Sequence, residues 1–174
     1  MQTRKLGNSD LHISICSNWG GRLRLRPSRP SSPLSRCFIA KSKSDILPHC
    51  KSEGIGVIVY SPMASGLLSG AMTREPIANL PKHNWRKGHP GFSEPNLSCN
   101  LALVDRVKEV ARRRGRFAGE VAVAWTLHHP AVTAAIVGAR NAHQAEGVMR
   151  AGELHLTEEE IQEIEAGFVA ETAA

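Results

Sequence analysis

The sequence predicts a single α/β domain, and three observations carry that prediction. The chain has 174 residues, close to a common domain of about 100–150 and well short of the ~250 that eight strand–helix units take. Two apolar, β-branched runs, Ile55-Gly56-Val57-Ile58-Val59-Tyr60 and Thr133-Ala134-Ala135-Ile136-Val137, have the pattern of strands buried on both faces. Between and after them, apolar residues recur at helical spacing.

The elements follow in order. Residues 1–16 predict a short hairpin: Arg4-Lys5-Leu6 and Leu11-His12-Ile13-Ser14-Ile15 flank Gly7-Asn8-Ser9-Asp10, a cluster of turn formers. Residues 17–43 break the pattern. Arg22-Leu23-Arg24-Leu25-Arg26 alternates like a strand, but Pro27, Pro30 and Pro33 then remove backbone donors. Ser/Pro/Arg composition buries too little apolar surface to offset its ordering entropy, so this stretch reads as a disordered basic linker with one short strand at Cys37-Phe38-Ile39-Ala40.

Ser44 can cap a helix running to Ser52, with Pro48 near its first turn and Gly54 ending it. After the strand at Tyr60, residues Ser61 to Ser98 form a long Pro/Gly-rich stretch, a length at which loops are functional or disordered. Leu101, Val104, Val107, Val110 and Ala111 predict a helix that Gly115 closes, with Arg112-Arg113-Arg114 as a solvated cationic end. Val121, Ala124, Trp125 and His128 predict the next, halted by Pro130. Asn141 caps a helix to about Ala151, and Thr157-x-x-Glu160 is a capping box with Leu156 and Ile161 as its staple. Helix, strand, helix, helix, strand, helix, helix is half of something larger.

Charge excludes one class of function. The net +6 is local: residues 1–50 hold nine basic and two acidic side chains, whereas 51–174 hold thirteen and fourteen. The excess sits in Arg22–Lys43, and with only Trp19 and Phe38 as aromatic platforms it reads as a solvated linker, not a nucleic-acid surface. Cys16, Cys37, Cys50 and Cys99 contain no Cys-x-x-Cys pair, so neither a zinc site nor a disulfide framework is predicted. No run approaches the ~18 apolar residues of a membrane span, and no apolar segment follows Met1-Gln2-Thr3-Arg4; a cytoplasmic chain without membrane contact is expected.

Neither a dinucleotide fingerprint nor a phosphate-binding P-loop is present, since Gly66-Leu67-Leu68-Ser69-Gly70-Ala71 lacks the spacing and the lysine. What stands out is Val57-Ile58-Val59-Tyr60-Ser61-Pro62-Met63-Ala64-Ser65-Gly66-Leu67-Leu68-Ser69-Gly70, a strand ending in Tyr-Ser-Pro and entering a Gly-rich loop. Downstream come Val121-Ala122-Val123-Ala124-Trp125-Thr126-Leu127, His129-Pro130-Ala131-Val132, and Ile136-Val137-Gly138-Ala139-Arg140 with Gln144. This series resembles the C-terminal part of the aldo-keto reductases, NADPH-dependent oxidoreductases built as (β/α)₈ barrels. Residues 1–14 resemble that family's N-terminal hairpin, and Asn18-Trp19-Gly20-Gly21 a trace of its first strand and loop. The resemblance implies an α/β fold that is an incomplete (β/α)₈ TIM-barrel fragment, with 44–174 as the C-terminal part of the barrel.

It also implies a site for NADP(H). Tyr60, at a strand's C-terminal end, would stack on a nicotinamide. Ser61, Pro62, Met63, Ser65, Gly66 and Leu68 would offer hydroxyls and free backbone N–H groups to a pyrophosphate. Gly138 would permit close approach, Arg140 would meet the adenosine 2′-phosphate, and Gln144 would bond the adenine. The chain departs from the family at Gly147 and Val148, where Glu and Asn often bond adenine, and at Ala71, where Lys often follows the Gly-rich loop.

The larger departure is catalytic. The family protonates its developing alkoxide with a Tyr, helped by a Lys, an Asp and a His on early strands. Here the corresponding interval, residues 15–43, holds no Tyr, Asp or His, and Tyr60 is the chain's single tyrosine. No histidine is spaced with an acid or a nucleophile. The expectation is therefore a truncated homologue without catalytic residues or metal, inactive as an isolated chain. The alternative is a non-catalytic NADP(H)-binding module, or one that self-associates through open strand edges.

Overall fold

A computed structural model describes residues 3–5, 12–14, 16–17 and 46–169. Thr3–Lys5 (β1) pairs antiparallel with His12–Ser14 (β2), in the register Thr3 to Ser14 and Lys5 to His12. Cys16–Ser17 (β3), which the sequence reading did not separate from the hairpin, lies parallel to Val132–Ile136 (β5), Cys16 opposite Ala135. Val57–Tyr60 (β4) lies parallel on the other side of β5, ending with Tyr60 opposite Ile136. The order β3-β5-β4 is an open parallel sheet among the described residues. The linker assigned to 17–43, apart from Ser17, and the strand expected at Cys37–Ala40 lie outside the described residues, as do Ser44 and the hairpin's turn.

The central strand β5 meets the expected burial, with Val132 to Ala135 buried and Ile136 partly so. Strand β4 does not. Val57 and Val59 are buried, Ile58 is half-buried and Tyr60 is exposed. Among the described residues β4 has β5 as its one strand partner and so is an edge of the sheet, and its Ile58–Tyr60 face is covered less well than its Val57–Val59 face.

Helices supply the core. Ile46–Ser52 (α1) buries Leu47, and Gly54 leaves it at φ +64°. Asn96–Arg114 (α3) buries Leu97, Asn100, Leu103, Val104, Val107, Val110 and Ala111, the 3- and 4-residue spacing of one helical face, and Gly115 closes it in the left-handed region. Ala118–His128 (α4) is buried from Ala118 to Leu127 on every face, because its small apolar side chains admit close packing from several elements at once. Its one buried acid, Glu120, is ion-paired to Arg116 at 2.9 Å. Ala142–Met149 (α5) starts on Asn141, whose Oδ1 accepts from the Gln144 N–H at 2.9 Å. Glu158–Val169 (α6) begins with the capping box: Thr157 N–H donates to Glu160 at 2.8 Å, and Glu160 N–H donates to Thr157 Oγ1 at 3.3 Å.

Two expectations need correction. The stretch 61–98 is built, not irregular. It folds as short 3-10 turns at Ala64–Ser69, Trp85–Gly88 and Pro90–Phe92, a short helix Arg74–Ala78 (α2) and the first turn of α3. Leu67, Leu68, Ile77, Phe92 and Leu97 anchor it in the core, and Asn100 Nδ2 donates to Gly91 O at 2.7 Å. The Arg112–Arg114 triplet is also more than a solvated end. Arg114 pairs with Glu160 at 2.7 Å and Arg113 with Glu163, fastening α3 to α6, while Arg112 returns to Glu109 on its own helix.

Candidate functional site

Parallel pairing of β4 with β5 brings their C-terminal ends together, so the chain leaves Tyr60 and Ile136 side by side. The segments that follow form the two banks of one cleft, the usual place for a ligand site in a parallel α/β sheet. Its volume is about 620 Å³, within the range of small-molecule sites.

The bank after β4 is strained. Ser61, Ala64 and Ser65 have φ of 56°, 47° and 59°, the left-handed region in which non-glycine residues cost of order 1 kcal/mol or more each. Gly66, at φ 96°, takes a conformation that suits glycine. The loop is held partly from within. Ala64 N–H donates to Ser61 O, Gly66 and Leu68 N–H to Met63 O, and Ser65 N–H to Ser61 Oγ at 3.2 Å. These N–H groups, expected to stand free for an anion, instead close turns. It is also held from outside, since Arg86 donates to Ser65 O from Nε at 3.0 Å and Nη2 at 2.9 Å. The Arg86 guanidinium rests against the Trp85 ring at 5.2 Å and the Phe92 ring at 5.9 Å.

The other bank runs from Ile136 through Gly138, Ala139 and Arg140 into α5. Arg140 is exposed and its guanidinium has no partner among the described residues, while its N–H donates to Gln144 Oε1 at 2.9 Å. A Cβ at either Gly66 or Gly138 would meet nothing within 4 Å, so both backbones face open space. Phe117, Gly119, Gly147 and Val148 also line the cleft, together with Ser69 and Ala71, and the Phe117 and His143 rings meet T-shaped. The charged or titratable groups of the lining are Arg86, Arg140 and His143; no carboxylate is among them.

Of the residues singled out in the sequence, Ser61, Pro62, Met63, Ser65, Gly66, Gly138, Arg140 and Gln144 share this cleft. Leu68 is buried beneath the loop, and Tyr60 stands on the strand end outside the lining. Arg86, Phe117 and His143 were not foreseen. Nothing marks Arg86 in the sequence. Phe117 did leave a signal, a bulky ring at a helix start where a capping residue is usual.

The model of the aldo/keto reductase family matches residues 34–167, most of the chain. The chain belongs to the aldo/keto reductase family. A curated relative, the probable aldo-keto reductase 1 of Glycine max, is 27% identical over 122 residues, covering 70% of this chain and 34% of its own length. Among solved structures, the glycerol dehydrogenase of Gluconobacter oxydans is 31% identical with a TM-score of 0.68, over 77% of this chain and 40% of that one. A thermostable aldo-keto reductase, 21% identical with a TM-score of 0.51, shares the fold over 74% of this chain and 35% of its own. The chain thus spans less than half the length of each of these three relatives, and the sheet of its described residues is an open part of the (β/α)₈ barrel fold of the family. No described helix is long and apolar enough to cross a membrane, and no cluster of metal-ligating side chains occurs among the described residues.

Proposed function

We propose that this family member keeps the NADP(H)-binding part of an oxidoreductase and does not itself reduce carbonyls. The observation that carries the reading is the cleft's charge: Arg86, Arg140 and His143 line it without a carboxylate, and the Arg140 guanidinium has no partner among the described residues. Arg140 would pair with the 2′-phosphate beside the capped start of α5, favouring NADP(H) over NAD(H). Ser61 and Ser65 hydroxyls and the unused N–H groups of Arg86 would meet the pyrophosphate, and open space over Gly66 and Gly138 leaves room for it. Gln144 has its carboxamide oxygen committed to Arg140 N–H, which leaves its NH₂ for a base. When bound, a nicotinamide supplies hydride. The chain lacks the tyrosine that would protonate the product alkoxide, because Tyr60 is its only one and stands at the end of β4.

Thermal unfolding with and without NADP⁺ or NADPH tests binding. Ligand at ~100 times its Kd adds about 2.7 kcal/mol and raises a cooperative transition; an unmoved transition refutes the reading. Steady oxidation of NADPH by pure protein with a simple aldehyde would refute the second half.

A second reading rests on a separate observation. Strand β4 is a sheet edge among the described residues, and Ile46 and Ile55 on the same strand–helix unit are about half exposed. Such an edge can pair with a second copy, giving a self-associating module. Sedimentation across protein concentrations decides it: a monomer throughout refutes self-association.

A further inference from the structure

Helices prefer Ser, Thr, Asp or Asn at the cap, where a short side chain accepts from the first turn's N–H groups. Helix α4 begins on Phe117, a ring without an acceptor, and Glu120 reaches back to the Phe117 N–H at 3.4 Å. The same ring is 54% exposed in a chain where most large apolar side chains of 46–167 are buried. One position therefore carries two penalties, a poor cap and uncovered apolar area. Local rules are broken in this way where a site gains from it.

The surroundings say what it gains. Phe117 lies on the wall of the cleft, with its ring T-shaped to His143 at a centroid distance of 5.6 Å. Gly147 backs it, and a Cβ there would sit 3.3 Å from Phe117 Cδ2, so a larger residue would displace the ring. With Gly147 and Val148 adjacent, this corner of the cleft is apolar and aromatic. The rest of the lining supplies Arg140, Arg86 and the serine hydroxyls. A cleft with one cationic region and one aromatic region suits a ligand that is anionic at one end and a flat ring at the other.

We infer that Phe117 is the stacking surface for the heteroaromatic base of a nucleotide whose phosphates lie toward Arg140 and Arg86. This rests on the nucleotide-binding reading and assigns its base to a residue outside the family resemblance. Stacking is tolerant of which base is held and needs a π face more than a polar edge.

Calorimetric titration of the full chain with adenosine 2′,5′-bisphosphate, and separately with inorganic pyrophosphate, tests it. Phe117→Ser should weaken the bisphosphate about tenfold while leaving pyrophosphate within about twofold, and Phe117→Trp should restore the bisphosphate. Because serine is the better cap, ligand-free Phe117→Ser should melt at or above the wild-type temperature. A role in packing alone gives the opposite pattern, lower melting with affinity intact, and overturns the inference. Equal loss of both ligands overturns it as well. Wild type that binds the bisphosphate, with Phe117→Ser binding it equally, sinks this inference alone; wild type that binds neither ligand sinks the cofactor reading with it.

Discussion

Replacing Arg86 with alanine removes a guanidinium that donates from Nε and Nη2, at 3.0 and 2.9 Å, to the single carbonyl of Ser65. Both bonds share one acceptor, so they count as one charge-assisted interaction of about 1.5–3 kcal/mol. Contacts with Trp85 and Phe92 add about 0.5–1 kcal/mol at this partly exposed position. Water replaces part of the loss at the Ser65 carbonyl, which brings the expected destabilisation to roughly 2 kcal/mol, or about 4–8 °C in a chain of this size. Urea unfolding followed by far-ultraviolet circular dichroism measures it. Arg86→Lys should recover less than half, because an ammonium cannot present two fixed N–H groups to one oxygen and stacks poorly on an indole. Arg86→Ala within about 0.5 kcal/mol of wild type, or full rescue by lysine, would show that the left-handed turn at Ser65 stands without its brace.

Three further outcomes follow from the same geometry. The Arg114 guanidinium, with help from the Thr157 N–H and against partial burial, holds the Glu160 carboxyl below its ordinary 4.5. Its stabilising effect is then complete above that value and is lost as pH falls through the lower folded-state value, so melting temperature should drop more steeply on acidification in wild type than in Glu160→Gln. Gly66→Ala meets no steric neighbour, yet at φ 96° it should cost about 1 kcal/mol in the urea midpoint; an unchanged midpoint would contradict the strain argument. On the cofactor reading, Arg140→Ala should weaken NADP⁺ about tenfold or more and NAD⁺ little, by calorimetry, and equal loss for both would remove Arg140 from the 2′-phosphate.

Legibility varied with how local the determining interaction is. The Asn141 cap and the Thr157-x-x-Glu160 box could be read directly because donor and acceptor lie within one turn. Helix α3 was readable because its buried positions repeat on one face, and β5 because a strand covered on both sides is apolar or β-branched at every position, Thr133 being its one polar side chain. Strand β4 has the same apolar run and a different fate, since an edge position is a property of the sheet and not of the strand. The region 61–98 misled for a related reason. Its prolines and glycines are turn signals, but the turns stack against buried Leu67, Leu68 and Phe92, and that order comes from contacts far along the chain.

By itself the sequence determined the alternation of helix and strand, the loop chemistry at the strand ends and the lack of any tyrosine besides Tyr60. Those are matters of side-chain type and short-range spacing. Only the tertiary structure decided that β3 joins β5, that Arg86 braces a carbonyl 21 positions away, that Arg114 meets Glu160 across 46, and that Phe117 faces the cleft. It also decided that N–H groups of the Gly-rich loop are already bonded to the loop itself. Periodicity records which side of an element is buried. It does not record which distant group will be there to meet it, because that follows from packing the whole chain at once.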